Sequence, residues 1–196
     1  MYKSFFFAVL LSLSINSVCF AQAGIEFFNL QWRNNSTEIE EAHLDDRVII
    51  EFETNNIPNG AIIDVEIWSI TDNELRDLID NIQGEVINGI VRIEWEIKFD
   101  NNVNINSAQQ INERGYTIID YYFTVKYNDI TSSSNRLPIY SYFDYLILDD
   151  ITGEPIRNSD FLLFAPNGRF LMGTTNEDGR AIMRNLRIIG SYSFIM

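Results

Sequence analysis

The sequence predicts an all-β protein built from two successive β-sandwich domains. Aromatic residues make up 13 % of the chain, and Ile, Val and Thr are frequent; ring and branched side chains favour strands because they pack well on a pleated surface. Apolar and polar residues alternate along several short segments, which is the period of a strand with one buried face. Clusters of Asn, Gly and Pro separate these segments, as turns do.

The first residues predict the compartment. Lys3 is followed by an apolar run over residues 4–15, and Ala21-Gln22-Ala23 then supplies a small-x-small cleavage pattern. This order is typical of a secretory signal peptide, here residues 1–23. A membrane-spanning helix needs about 20 predominantly apolar residues, and polar residues 16 and 17 interrupt this run. The mature chain is therefore expected to be secreted, to the periplasm or cell surface, with no membrane span.

Cys19 is the only cysteine and lies inside this leader. A lipidated cysteine is one alternative that stays open, although Asn16 and Val18 occupy places where lipoprotein signals usually carry Leu and a small residue. Cleavage after residue 23 leaves no cysteine and hence no disulfide, so stability must come from core packing.

The net charge of the mature chain limits which classes of partner it can bind. Residues 24–196 carry 13 basic and 28 acidic side chains, and a surface this acidic repels a phosphate backbone. Nucleic acid is therefore excluded as a partner, and no basic stripe is present. The imbalance is concentrated in residues 24–141, with 8 basic and 21 acidic residues, whereas residues 142–196 have 5 and 7. This shift indicates a domain boundary near Tyr142.

Six strands are predicted in residues 24–141. The alternation of apolar residues with charged or polar ones places one set on a buried face and the other in water. Short antiparallel strands separated by turns such as residues 55–60 are typical of an immunoglobulin-like sandwich. The predicted strands cover residues 25–32, 48–53, 63–67, 91–98, 119–125 and 137–142.

Two segments between these strands are predicted differently. Residues 73–83 carry Leu75, Leu78, Ile79 and Ile82 at helical spacing, which indicates a short helix or an irregular crossover and leaves helix and strand both open. Residues 129–135 are small and polar, and they are expected to form the loop before the last strand.

The second domain is predicted from its turns. The residue pattern over 143–194 gives a strand, an Asp-rich turn, a strand, a hairpin at Asn167-Gly168, a strand, a hairpin at Asp178-Gly179, a strand, and a last strand entered through Gly190. The motifs at residues 152–156, Thr-Gly-Glu-Pro-Ile, and 174–181, Thr-Thr-Asn-Glu-Asp-Gly-Arg-Ala, are followed by Gly-Ser-Tyr-Ser-Phe at the end.

In this order of motifs, residues 142–196 resemble the prealbumin-like domains related to the carboxypeptidase regulatory domain. The resemblance implies a smaller prealbumin-like sandwich and a role as a spacer, a binding module or an assembly aid. Trp32, the turn at residues 57–60 and the strand around residues 92–95 resemble immunoglobulin-like modules of bacterial surface or secretion-associated proteins.

Catalytic and metal-binding patterns are missing from the sequence. His43 is the only histidine and has no second His or mature Cys to join it at a zinc ion. No Gly-x-Ser-x-Gly elbow or phosphate loop occurs. Calcium binding stays open at Asp149-Asp150 with Glu154 and at residues 176–178, where the same residue types also form ordinary turns. We therefore expect no enzyme activity, no cofactor and no metal.

The candidate binding residues are four tyrosines in one aromatic-rich stretch: Tyr116, Tyr121, Tyr122 and Tyr127. Outward-facing tyrosines anchor protein partners or stack on sugar rings, and inward-facing ones fill a core. The sequence therefore predicts an exported, non-catalytic interaction or structural module with a protein partner. A carbohydrate-binding module is the alternative, and a carboxylate-based glycosidase is a further one.

Overall fold

The computed structural model describes residues 24–196. The predicted signal peptide and Cys19 lie outside the described residues. The first elements along the chain are β1 (Glu26–Asn34), β2 (Thr37–Glu38), β3 (Ala42–His43), β4 (Arg47–Asn55), β5 (Ile62–Thr71), β6 (Arg76–Glu85), β7 (Ile90–Glu96), α1 (Ile105–Arg114), β8 (Tyr116–Thr117), β9 (Ile119–Tyr127) and β10 (Ile130–Ser133). The chain continues with β11 (Leu137–Leu146), β12 (Asp160–Phe164), β13 (Phe170–Thr174), β14 (Arg180–Leu186), β15 (Ile189–Gly190) and β16 (Ser193–Ile195). The all-β prediction is confirmed.

The first part of the chain folds as a two-sheet sandwich, as predicted. One sheet has the strand order β2-β1-β4-β7, and the facing sheet runs β6-β5-β9, continued by β10 and the start of β11. The alternating apolar residues of both sheets meet between them, where the ring of Trp32 lies edge-on to that of Phe123 with centroids 5.1 Å apart. The buried residues of these strands include Val48, Ile50, Phe52, Ile63, Val65, Ile67, Ile119, Phe123 and Val125.

Residues 76–85 form strand β6. Of the alternatives left open for residues 73–83 the strand is therefore the one present, and the short helix or irregular crossover expected there is wrong. The strand pairs antiparallel with β5, and the register shifts between Ile67, opposite Asp80, and Trp68, opposite Leu78. Ile79 is thus an extra residue in a β-bulge, which interrupts the alternation. The interrupted alternation explains the helical spacing of apolar residues in this segment.

The predicted loop at residues 129–135 contains strand β10, so that prediction is also wrong. Ile130 pairs with Tyr127 and Ser133 with Thr124, which makes β9 and β10 a hairpin. Asn128 has a positive φ of 51° at the turn, a conformation that Asn tolerates better than most residues. The composition is polar because these residues lie on the surface.

Helix α1 was not expected from the sequence. The side chain of the N-cap residue, Asn104, makes no capping hydrogen bond. Instead, the carboxylate of Asp77 accepts hydrogen bonds from the backbone N–H of Asn106 at 3.0 Å and from its side-chain amide at 2.7 Å. The helix ends at Gly115, which has a left-handed φ of 86°. A contact from a distant strand thus replaces the local capping signal.

Residues beyond Ser141 extend the larger sheet of the sandwich and also form a separate three-stranded sheet. The end of β11 pairs with β14, and β12 lies between β13 and β16. The Asn167-Gly168 hairpin is confirmed, because β12 and β13 pair on either side of it. The Asp178-Gly179 turn is not a hairpin, because β13 pairs with β12 whereas β14 pairs with β11. The turn instead carries the chain from one sheet to the other.

Two clusters of buried residues contact opposite ends of β11. The first fills the large sandwich and includes Ile189 from the far end of the chain. The second is centred on Phe161 and Leu163. Strand β11 joins them without a break: Leu137 and Pro138 pair with β9, and the strand continues through Tyr142 to pair with β14.

Candidate functional site

A groove of about 670 Å³ lies beside the second half of β11. Strand β11 forms one wall, and the segment from Leu186 through β16 forms the other. The groove, called the junction groove below, is lined by Leu44, Ser141, Tyr142, Phe143, Tyr145, Leu146, Ile147, Leu186, Ile189, Gly190, Ser191, Tyr192 and Phe194.

Two strands with an open edge border the junction groove. Over residues 141–146, β11 pairs with β14, and no other strand of residues 24–196 pairs with it there. Its remaining partners lie before this stretch, with β9 at Leu137 and Pro138 and β3 at Ile139 and Tyr140. Strand β16 is the outer strand of its sheet and pairs only with β12 within residues 24–196. Open edges carry backbone N–H and C=O groups that can pair with another strand.

The groove has an aromatic floor. The rings of Phe143 and Phe194 are nearly parallel, with centroids 5.6 Å apart, and Phe194 lies 5.2 Å from Phe161 of the core. Tyr145 packs on Phe143 at 4.6 Å while 60 % of it stays exposed, and Tyr142 is 52 % exposed. The floor belongs to the core, and the rim offers two accessible phenol rings.

The polar groups of the groove are few and uncharged. The Tyr192 hydroxyl donates to the carbonyl of Ile188 at 2.8 Å, and burial raises the pKa of this phenol above its usual value. The Ser141 hydroxyl donates to the carbonyl of Leu186 at 3.1 Å. Among the described residues, no Asp, Glu, Lys, Arg or His lines the groove, so it suits an apolar or aromatic ligand group.

Two of the four predicted tyrosines lie near the junction or in the core. Tyr116 in β8 pairs with Gly190, and the guanidinium of Arg114 lies 4.4 Å from its ring centroid. Tyr121 is fully buried, and its hydroxyl donates to the carbonyl of Lys98. Burial strongly raises the pKa of Tyr121. The prediction of Tyr121 as a surface contact is corrected, since its ring belongs to the core.

The other two predicted tyrosines are half-buried residues of β9 in the large sandwich. Tyr122 is half-buried opposite Trp68, and the guanidinium of Arg76 lies 5.7 Å from its ring centroid. Tyr127 lies at the end of β9 and pairs with Ile130. The four tyrosines do not form one patch, and none of them lines the junction groove.

Sequence reasoning missed Tyr142 and Tyr145, which form the accessible rim. A signal was present, because residues 140–146 read Tyr-Ser-Tyr-Phe-Asp-Tyr-Leu. Here aromatic residues occupy both faces of one strand, whereas a half-buried strand is apolar on one face only. This pattern indicates a strand with contacts on both faces.

The other chemistry-bearing residues serve local structure. The Nε2 atom of His43 lies 2.7 Å from Oδ1 of Asn185. One oxygen of Asp149 accepts the backbone N–H of Thr152 at 2.7 Å and its hydroxyl at 2.9 Å. These hydrogen bonds hold the pKa of Asp149 below its usual value, and the bond from the backbone N–H of Thr152 has the largest effect. Within residues 24–196, no group of three His, Cys, Asp or Glu side chains is arranged for a metal ion.

Comparisons with known proteins give no family. No family model matches the chain, and no curated protein matches it. Among solved structures, the chain is similar to Escherichia coli alpha-2-macroglobulin activated by porcine elastase, at 8 % identity and a TM-score of 0.34, over 84 % of this chain and 17 % of that one. It is also similar to Salmonella alpha-2-macroglobulin reacted with methylamine, at 8 % identity and a TM-score of 0.35, over 87 % of this chain and 14 % of that one. The chain spans less than a fifth of the length of either protein.

Proposed function

We propose that this chain is an exported, non-catalytic interaction module of the bacterial periplasm or cell surface, and that it binds an extended apolar segment of a protein partner in the junction groove. The observation that carries the proposal is the combination of an aromatic floor with two open strand edges along the same groove. We further propose an immunoglobulin-like domain over residues 24–141 and a prealbumin-like domain over residues 142–196.

Export is supported by the leader pattern of residues 1–23. Among residues 24–196, no helix has the length and apolar character needed to cross a bilayer. The strongly acidic composition of residues 24–141 supports a soluble exterior and disfavours anionic partners. A module of this kind works as a positioned surface, with no chemistry of its own.

A non-catalytic role is supported by the groove lining. General acid–base or nucleophilic catalysis needs a titratable or activated group within hydrogen-bond reach of the substrate. The lining provides hydroxyl groups from Ser and Tyr but no base beside them. The groove therefore favours binding over turnover, and it gives no support to a carboxylate-based glycosidase.

An extended peptide fits this groove better than a compact ligand. Strand addition uses main-chain hydrogen bonds for affinity and pockets for alternate side chains for specificity. Strand β11 offers the main-chain groups over residues 141–146, and the space beside Phe143 and Phe194 accepts apolar side chains. We therefore expect a partner segment with alternating apolar residues.

A peptide library displayed on phage tests the proposal. Selection on the mature wild-type chain is expected to enrich peptides with alternating apolar residues. Tyr145→Asp places a charge in the groove and is expected to lose these peptides, while Ile151→Asp, at an 89 % exposed turn position outside the groove, keeps them. Failure to enrich any peptide, or equal binding by both variants, contradicts the proposal.

Carbohydrate is the second candidate ligand, because the rings of Tyr142 and Tyr145 are accessible at the rim and aromatic rings pack on sugar faces. A glycan array probed with wild type is then expected to give hits that Tyr145→Ala abolishes. An array without hits removes this candidate and leaves the peptide proposal unaffected.

A further inference from the structure

The sheet β13-β12-β16 is apolar on both faces. Its inner face carries Phe161 and Leu163, which are buried in the second core. Because side chains alternate along a strand, the intervening residues point away from that core. The register places Met172 and Ile195 opposite Leu162, and Phe170 opposite Phe164. This outer face, called the outer patch below, consists of Leu162, Phe164, Phe170, Met172 and Ile195.

The outer patch is open to solvent in a single chain. Phe170 is 60 % exposed, Met172 71 % and Ile195 54 %, and Phe170 packs only loosely on Phe164, with ring centroids 6.2 Å apart. A sheet with two apolar faces is normally covered on both. Contiguous exposed apolar residues of this kind mark an interaction surface.

Charged residues at the ends of the sheet indicate what covers the patch. Arg169 lies exposed at the β12–β13 turn. Asp160 begins β12 at the opposite end of the sheet, where its carboxylate accepts the hydroxyl of Thr174 at 2.9 Å. One end of the patch is thus positive and the other negative. A second copy related by a two-fold axis that reverses the strand direction brings each Arg169 to the Asp160 end of the other copy.

The charge of the whole chain also favours contact at this place. Residues 24–141 carry 8 basic and 21 acidic side chains, so two copies repel each other there, whereas residues 142–196 carry 5 and 7. A copy can therefore approach most easily through the part of the chain that contains the outer patch. Isologous pairing also needs a self-complementary surface, and an apolar centre with opposite charges at its two ends satisfies that need.

We propose that two copies of this chain form a two-fold dimer by packing their outer patches face to face, with Arg169 of each copy next to Asp160 of the other. Facing sheets pack with their strand directions within about 30° of each other. The interface is separate from the junction groove, since none of its five patch residues lines that groove.

Sedimentation velocity over a range of concentrations tests the dimer. Wild type is expected to dimerise, and Met172→Glu is expected to raise the dimer Kd at least about 100-fold, because it places a charge at the centre of the interface. Ile151→Glu, another exposed apolar position outside the patch, keeps the wild-type Kd. Far-UV circular dichroism and thermal melting confirm that each variant is folded.

A charge exchange tests the two-fold arrangement itself. Arg169→Asp removes two symmetric ion pairs and is expected to raise Kd about tenfold, and adding Asp160→Arg restores it. A monomeric wild type at its highest soluble concentration overturns the proposal, as does equal weakening by Met172→Glu and Ile151→Glu. Absence of recovery in the double variant overturns the Arg169–Asp160 arrangement. Tyr145→Asp, which lies in the junction groove, is expected to leave the dimer Kd unchanged. Failure of the dimer proposal can therefore be told apart from failure of the peptide-binding proposal.

Discussion

Arg187, which follows β14, pairs through its guanidinium with the carboxylate of Asp120 in β9. The same guanidinium donates to the carbonyl of Ile119 and, at 2.9 Å, to that of Ile139 in β11. It therefore fills the gap where β9 and β11 separate, and it joins the part of the chain after β14 to the large sandwich. Its bond to Ile139 lies just before the second half of β11, which forms one wall of the junction groove.

Replacing Arg187 is expected to destabilise the protein. Arg187→Met removes three hydrogen bonds and leaves the half-buried Asp120 carboxylate without its cation, which we expect to lower the free energy of unfolding by about 2–3 kcal/mol. Urea unfolding followed by tryptophan fluorescence measures the change. Arg184→Met is the matched control, because Arg184 is exposed, and we expect a change within about 0.5 kcal/mol. Equal effects of the two substitutions contradict the role given to Arg187.

Helix α1 depends on Asp77. Asp77→Ala removes the acceptor of the Asn106 backbone N–H, and loss of a helix cap costs about 1–2 kcal/mol. Hydrogen exchange is expected to accelerate in α1 more than in β4 or β5. Asp129→Ala, in an exposed turn, serves as the control, and unchanged exchange in α1 of the Asp77 variant refutes the capping role.

Gly190 lets β15 approach β8 closely. A Cβ atom at this position lies 2.4 Å from the carbonyl oxygen of Gly115 and 3.1 Å from Cα of Tyr116, and the backbone there cannot move aside easily. Gly190→Ala is expected to cost about 1–3 kcal/mol through overpacking. At Gly24 nothing lies within 4 Å, so Gly24→Ala should leave the melting temperature unchanged. A melting temperature of Gly190→Ala equal to that of wild type contradicts this expectation.

Tyr121 gives stability a dependence on alkaline pH. Burial raises the pKa of Tyr121 in the folded state above its unfolded value of about 10. The stabilisation is fully present below pH 10 and is lost as the pH rises above it, at up to about 1.4 kcal/mol per pH unit. Tyr121→Phe is expected to reduce this loss between pH 10 and pH 11, measured by urea unfolding. A Tyr121→Phe curve identical to that of wild type rules the explanation out.

The sequence predicts strands well where one face of the strand is buried and the other is exposed to solvent. Val48, Ile50 and Phe52 are all buried as their alternation indicates, because a single buried face enforces a period of two. The same alternation places Tyr121 with Ile119 and Phe123 on the buried face, so the burial of Tyr121 could have been predicted from the sequence. Strand β6 could not be predicted, because the bulge at Ile79 interrupts the alternation of apolar and polar residues.

The parts that the sequence could not predict depend on contacts between distant residues. Helix α1 begins where Asp77, 29 positions away from Asn106, reaches its first turn. The junction groove forms only because β14 pairs with β11 and leaves the edge over residues 141–146 open. Neither contact has a local signal, whereas the Asn167-Gly168 turn, where Gly168 has a φ of 82°, is local and was predicted.

Hydrogen exchange on the complex with a selected peptide tests the central claim most directly. Wild type is measured alone and with a synthetic copy of a peptide enriched on phage. Bound peptide is expected to slow exchange of backbone amides along an open edge of the groove, in residues 142–146 of β11 or 193–195 of β16. Protection confined to the large sandwich, or no protection in either strand at saturating peptide, contradicts binding by strand addition in the junction groove.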